Sequence, residues 1–355
     1  MINITKTFLP PQEEYQKILQ EAWNTGWITN RGVLVKRLEQ KLSEYLGIDQ
    51  VIAMTNGTLP LQIAIKALDL SDEIITTPFS YVATTSIINW EGCKPVFVDI
   101  DPNTLTIDET RIEAAITRKT SAILATHVFG NPCNIEAIEA IAQKHSLKVI
   151  YDAAHGFGVN YKGRSIFNYG HVSTCSFHAT KVFQTGEGGA FFCNDVALHN
   201  KAFYLHNFGH KDKESFQGQG INAKMSELQA AMGLAVMPYL EEGIKARAKL
   251  VEIYEYELSA YRTIQLRTGT EWNYSYFPVI FESEAALKKV QAALKQVQIF
   301  PRRYFYPSLN HLPYVQNKSC PVSEQVAECV LCLPLYQELS SEKVLEICSI
   351  VKQQG

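Results

Sequence analysis

Thr55-Asn56-Gly57-Thr58 lies between a β-branched apolar run and a helical pattern. A small turn at a helix N-terminus leaves backbone N–H groups free at the positive end of the helix dipole, which suits a phosphate. Phe79-Ser80-Tyr81 follows a run that stops at Thr77-Pro78, and it offers an aromatic face to a planar ring. Asp152 closes a buried-looking run in Tyr151-Asp152-Ala153-Ala154-His155-Gly156. A carboxylate at the end of a buried strand is costly unless something cationic meets it. Ser176-Phe177-His178-Ala179-Thr180-Lys181 follows the next run and leads into Gly186-Glu187-Gly188-Gly189. Lysines become nucleophilic when burial or a nearby cation lowers their pKa.

Taken singly, each cluster has a plainer reading: a helix cap, a core aromatic, a salt-bridged aspartate, a solvated lysine. Their joint order is more specific, with Lys181 standing 29 residues after Asp152. Together they describe a site for pyridoxal phosphate. Its phosphate needs N–H and hydroxyl donors, its pyridine nitrogen a carboxylate, and its aldehyde an amine.

Such residues must be held at the carboxyl ends of strands in an open α/β sheet. Strands are predicted over 51–54, 73–77, 95–99, 121–127, 148–152, 172–177 and 190–193, seven before residue 200. They are nearly continuous apolar runs, as in strands buried on both faces, and point to a mostly parallel sheet between helix layers. Helical spacing is read over 33–46, where Val33, Leu34, Leu38, Leu42 and Leu46 recur, and over 58–68 and 134–145. Residues 1–30 read as mixed and aromatic, and 223–258 as one long helical region. Strands near 275–281 and 297–300, with helices near 284–296 and 341–353, make a smaller α+β portion. The expected division is a large domain over 1–240 and a small one over 241–355.

Composition narrows the function classes. The chain has 355 residues, 46% hydrophobic and 19% charged, with a net charge of −3. Two domains and a sizeable core follow from that length. The near-neutral balance argues against a nucleic-acid partner. Eight scattered cysteines suit reduced buried thiols better than a disulfide scaffold. No leader-like start and no long apolar run is read, so a cytoplasmic location and no membrane partner are expected.

With these residues in hand, the chain resembles the DegT/DnrJ/EryC1/StrS family of sugar-nucleotide aminotransferases, which are fold-type-I pyridoxal-phosphate enzymes. Beyond the four clusters, the likeness rests on Val98-Asp99-Ile100-Asp101, His127-Val128-Phe129-Gly130 and the stretch from Gly220 to Ala231. The resemblance implies that Lys181 is the amine that bonds the cofactor's aldehyde and moves the proton. It implies that Asp152 pairs with the pyridine nitrogen and that Tyr81 stacks on the ring, with His155 beside it. Gly57, Thr58 and Ser176 would hold the phosphate, with Asn222 reaching in from the second subunit of a homodimer. Glu187, Tyr306 and His311 are candidates for substrate contact, and no metal is implied.

The implied substrates are L-glutamate and a nucleotide-linked keto sugar. The likeness is strongest to enzymes that aminate dTDP-4-keto-6-deoxy-D-glucose at C4, for surface-polysaccharide (O-antigen) sugars. Two half-reactions at one site imply ping-pong kinetics. Asn222-Ala223-Lys224 and Asn56-Gly57-Thr58 depart from the Asn-Tyr-Arg and Ser-Gly-Thr of many relatives. Amination at C3, a UDP- or GDP-linked sugar, and a non-catalytic regulator that binds cofactor or sugar nucleotide therefore stay open. Lys181 stands where a dehydrating branch of the family carries histidine, which favours transamination.

Other signals carry less. Gly218-Gln219-Gly220-Ile221-Asn222-Ala223 has dinucleotide-fingerprint letters but follows a charged loop, not a strand. Tyr314 and Lys318 have the spacing of some sugar-nucleotide reductases without the glycine-rich first turn. Cys329 and Cys332 form a lone C-x-x-C that reads as packing. His127 reads equally as a site residue or a hydrogen-bonded structural histidine.

Overall fold

The computed structural model describes residues 1–316 and 318–355, so Asn317, inside the Tyr314–Lys318 spacing, lies outside the described residues. Seven strands form the central sheet: β1 (Gln50–Met54), β2 (Glu73–Thr76), β3 (Lys94–Phe97), β4 (Thr120–Thr126), β5 (Lys148–Asp152), β6 (Val172–Ser176) and β7 (Gly189–Cys193). Their spatial order is β1-β7-β6-β5-β4-β2-β3. Only β7 runs antiparallel to its neighbours; the β2–β3, β2–β4, β4–β5 and β5–β6 pairs are parallel.

The apolar runs are continuous because alternate residues enter different cores. Val51, Ala53, Ala190 and Phe192 pack with Leu34, Leu38 and Leu42 of the Val33–Leu46 helix. Ile52, Met54, Phe191 and Cys193 pack on the opposite face with Leu61, Ala64 and Ile65 of the Leu59–Ala67 helix. Burying both faces removes large apolar areas from water, the dominant favourable term in folding.

The C-terminal portion carries an antiparallel sheet of Arg262–Thr263, Phe277–Ile280 and Val330–Leu333. The Leu240–Glu257, Glu284–Gln296 and Ser341–Gln354 helices pack on it through Tyr254, Leu287, Val290, Val344 and Ile347. Strand Ile2–Asn3 pairs in parallel with Ile299–Phe300, so the first residues join this portion.

Several elements among the described residues depart from the sequence pattern. Residues 12–25 form a helix closed by Gly26 at φ 65°, a left-handed conformation that glycine adopts without strain. The Val82–Trp90, Val196–Leu205 and Pro321–Cys329 helices, and strand Val330–Leu333, also lie where no element is expected. The expected 223–258 helix is instead two. Ala223 and Lys224 are extended, with Lys224 bridged to Met54. The Glu227–Val236 helix then ends in a 3₁₀ turn at Met237–Tyr239 before Leu240. Pro238 has no N–H for an α-helical bond, which accounts for the break. Among the described residues, no helix is long and apolar enough to cross a membrane.

Candidate active site

The carboxyl edge of the sheet aligns the predicted clusters in one row. Gly189 pairs with both Met54 of β1 and Ser176 of β6, and Asp152 pairs with Thr126 of β4 and Thr174 of β6. The chain therefore leaves β1 into Thr55–Thr58 beside the point where it leaves β6 toward Lys181. A cavity of about 240 Å³ opens there. Gly57, Thr58, Tyr81, Asp152, His155, Ser176, Lys181 and Glu187 all line it. A larger groove of about 630 Å³ lies at the amino ends of β5 and β6, lined by Lys148, Val149 and His171. Ligands of such sheets bind at the carboxyl ends, so the smaller cavity is the site.

The turn after β1 is pinned on both sides. Thr55 N donates to Ala223 O at 2.9 Å. Asn56 Oδ1 accepts from Thr58 N at 2.9 Å and Leu59 N at 3.0 Å, capping the following helix. Gly57 N and Thr58 Oγ1 have no partner among the described residues. A Cβ on Gly57 would meet Ser176 Cβ at 2.5 Å, so only glycine permits this approach.

Asp152 is buried. Its Oδ2 accepts from Thr84 Oγ1 at 2.7 Å and its Oδ1 from Ala154 N at 3.1 Å. Ser80 Oγ lies 2.9 Å from Thr84 Oγ1 and 3.0 Å from Thr126 Oγ1, extending the network. Burial pushes the Asp152 carboxyl above its ordinary pKa, against the two donors and the charge of Lys181. Among the described residues, no cationic side chain comes within ion-pair distance of it. Thr84 sits on the Val82–Trp90 helix that the pattern did not reveal. The signal for it was a hydroxyl one helical turn beyond Ser80.

Lys181 projects into the cavity, its backbone N–H donating to His178 O at 2.8 Å. Burial lowers its pKa, against Tyr304, Asp152, Cys175 and Tyr81. Its Nζ lies 5.8 Å from the Tyr276 ring centroid. His155 Nδ1 accepts from Phe129 N at 3.2 Å, which puts its proton on Nε2. Its ring lies parallel to Phe129 and Phe305, and burial holds its pKa well below the usual value. Tyr81 is half exposed at the start of the Val82–Trp90 helix. His178 joins the rim, with Nδ1 2.9 Å from Thr180 Oγ1 and Nε2 3.6 Å from Glu187 Oε1.

Three predicted residues lie off this wall. Asn222 is exposed and bridged to Asn207. Tyr306 lies under the Arg303 guanidinium at 3.6 Å, and His311 Nε2 is 3.7 Å from Glu324 Oε1. The segment 301–314 lines the cavity through Arg302, Tyr304 and Phe305 instead. A two-way bridge between Arg302 and Cys332 sets that register, a long-range pairing with no local signature. His127 is structural: it is buried, stacked 4.4 Å from Tyr151, and accepts from Cys133 N at 3.0 Å. Cys329 and Cys332 are buried among apolar and aromatic side chains.

The arrangement can hold a planar group between an uncompensated carboxylate and an amine of lowered basicity, with an anion cup beside them. Comparison with known proteins agrees. The chain is similar to the dTDP-4-amino-4,6-dideoxy-D-glucose transaminase of Shigella dysenteriae, 42% identical over 99% of this chain and 98% of that protein. It is 38% identical to the Escherichia coli enzyme of the same name, with the same two coverages, 99% and 98%. Its fold superposes on the crystal structure of DesI in the presence of its TDP-sugar product with a TM-score of 0.94, at 29% identity, covering 99% of this chain and 92% of that one. The profile of the DegT/DnrJ/EryC1/StrS aminotransferase family matches residues 11–352. Matched over nearly its whole length in this way, the chain belongs to the DegT/DnrJ/EryC1/StrS aminotransferase family.

Proposed function

We propose that the protein is a pyridoxal-phosphate-dependent aminotransferase that converts dTDP-4-keto-6-deoxy-D-glucose to dTDP-4-amino-4,6-dideoxy-D-glucose with L-glutamate as amino donor. One observation carries the reading: a buried carboxylate without a cation and an amine of lowered basicity face one cavity. The substrate follows the names of the two similar transaminases, whose whole length the chain nearly covers.

The residues fit the cofactor. Asp152 offers a negative oxygen to a protonated ring nitrogen, which supplies the cation it lacks. Gly57 N, Thr58 Oγ1 and Ser176 Oγ face the cavity as donors for a phosphate. His155 presents Nε2–H, and Tyr81 an aromatic face. When bound, pyridoxal phosphate supplies an electron sink and a carbonyl that carries nitrogen from donor to acceptor. Lys181 Nζ would take the proton from the donor's Cα and hand it to the cofactor within the same half-reaction, then run that transfer in reverse with the acceptor, a task suited to an amine whose pKa burial has lowered. Glu187, with His178, stands at the rim where substrate enters.

The working unit is a homodimer in which Asn222 of one subunit completes the phosphate cup of the other. Its exposure and its position outside the wall of its own subunit support this. The chain divides near residue 240, where the long C-terminal helix begins. The enzyme works in the cytoplasm, and its product serves surface polysaccharide. Mass spectrometry of the keto sugar nucleotide incubated with protein and L-glutamate tests the reading. A product in which C=O has become CH–NH2 is expected. Recovery of unchanged sugar, or of one that has lost a hydroxyl, would sink it.

A further inference from the structure

Arg302 is the one guanidinium in the cavity wall among the described residues. Its backbone is clamped: Arg302 N donates to Cys332 O at 3.1 Å, and Cys332 N to Arg302 O at 2.8 Å. Cys332 is buried within strand Val330–Leu333, so the stem of Arg302 is anchored to a rigid element. Its guanidinium lies 4.7 Å from the centroid of the Tyr304 ring. Such stacking fixes the plane of the fork while leaving its N–H edges open.

No carboxylate of the chain uses that fork. Among the described residues, Arg302 has neither an ion pair nor a side-chain hydrogen bond. The adjacent Arg303 is committed, with Nη1 3.0 Å from Glu284 Oε1 and Nη2 donating to Glu328 O at 2.9 Å. The rim carboxylate Glu187 faces His178 instead. Two tyrosine rings step from the amine to the fork: Lys181 Nζ lies 5.8 Å from Tyr276, and the Tyr276 and Tyr304 centroids are 5.2 Å apart. Arg302 is exposed, and two tyrosine rings separate its guanidinium from Lys181 Nζ.

Both substrates of the proposed reaction have the shape this layout selects. L-glutamate brings its reacting carbon to Lys181 and carries a second carboxylate at the end of a short side chain. A keto sugar nucleotide brings its carbonyl there and carries a diphosphate on the far side of the ring. We propose that Arg302 is a specificity-determining residue that binds the distal anion of the substrate, a carboxylate or a diphosphate, through its open fork. The inference rests on the aminotransferase reading for its substrates, and on the wall geometry for the residue. Arginine matches paired anionic oxygens bidentately, and an exposed fork contributes selectivity more than rate.

The test uses the cofactor-loaded full chain and its Arg302→Ala, Arg302→Gln and Arg302→Lys variants. Glutarate, a dicarboxylate without an amine, and dTDP, a nucleoside diphosphate without a sugar, are titrated by calorimetry. KM and kcat for L-glutamate are measured alongside. In Arg302→Ala the dissociation constant of glutarate, of dTDP or of both rises about tenfold. Where glutarate weakens, KM for L-glutamate rises in step while kcat at saturation stays within about twofold, the mark of a binding contact. Arg302→Lys recovers part of the loss. Weakening of glutarate alone assigns the fork to the donor, and weakening of dTDP alone to the acceptor; either supports the proposal. If Arg302→Ala melts early, Arg302→Gln, which keeps the stem without the charge, is read in its place. Unchanged affinities for both ligands in a variant with wild-type melting temperature and cofactor absorption overturn it. The titrations need no turnover, so a wild-type protein that transfers no amino group refutes the aminotransferase reading while Arg302 is still judged.

Discussion

The Thr84 hydroxyl donates to Asp152 Oδ2 at 2.7 Å, across 68 residues of sequence. This bond, with Ala154 N, lets a buried carboxylate face the cavity without a cation of the protein beside it. Thr84→Val keeps the shape and removes the donor. The Asp152 pKa, already raised by burial, rises further, and its hold on a protonated ring nitrogen weakens. Loss of a hydrogen bond to a charged group corresponds to ~1.5–3 kcal/mol. A pyridoxal-phosphate dissociation constant about tenfold or more above wild type is expected; an unchanged one would remove Thr84 from the site.

The raised pKa of Asp152 has a stability consequence in the cofactor-free protein. The folded state binds this proton more tightly than the unfolded chain does. Stability therefore falls as pH rises from the ordinary aspartate value through the raised one, and stays reduced above it. Asp152→Asn removes that dependence. Urea unfolding of cofactor-free protein at pH 7 is expected to show the variant at least as stable as wild type, while turnover falls by a factor on the order of 10² or more. A variant clearly less stable at pH 7 would contradict the burial argument.

Gly57→Ala places a methyl 2.5 Å from Ser176 Cβ, a distance real side chains do not adopt. Either β1 and β6 move apart at their ends or the turn swings away from the cavity. Overpacking of this kind costs about 1–3 kcal/mol. Thermal melting should drop, and cofactor affinity should drop with it if the same turn forms the proposed phosphate cup. Wild-type values for both would show that the turn is looser than its packing indicates.

The proposed sharing of sites between subunits is tested by a mixing experiment. Lys181→Ala and Asn222→Ala chains, each impaired alone, are refolded together. Heterodimers then contain one site with both residues intact, and activity well above either parent is expected. No recovery, with heterodimers confirmed by mass, would place Asn222 outside the partner's site.

Glu227 is buried and does not line the cavity. Its two oxygens accept from Leu34 N at 2.7 Å and Val35 N at 3.2 Å, supplying the N-terminal cap of the Val33–Leu46 helix. Glu227→Ala leaves both donors buried and unpaired, each worth about 1–3 kcal/mol. A fall in the urea midpoint is expected without change in the KM of the remaining folded enzyme.

The sheet and the side chains that meet at the cavity were legible in the chain because they are local. Strands buried on both faces write themselves as apolar runs, and a turn, an aspartate and a lysine at strand ends keep their order whatever surrounds them. The Val33–Leu46 and Glu284–Gln296 helices were legible for the same reason, since one apolar stripe at helical spacing meets one core. The Val82–Trp90 helix was not, because Val82, Thr84, Thr85, Ile87 and Ile88 leave it too evenly apolar to show a stripe. Pro238 breaks the 223–258 region at the Met237–Tyr239 turn, although apolar residues continue on both sides of it.

What the sequence determined by itself was the chemistry on offer: an amine, a carboxylate, a glycine turn and an aromatic face, on an α/β scaffold. What only the tertiary structure decided was their company. Thr84 reaches Asp152 because a helix crosses the sheet edge there. Arg302 and Tyr304, rather than Tyr306 and His311, line the cavity because Arg302 is in register with Cys332. Those contacts join residues far apart in the chain, and their register is set by how whole elements pack, which no short stretch of residues encodes.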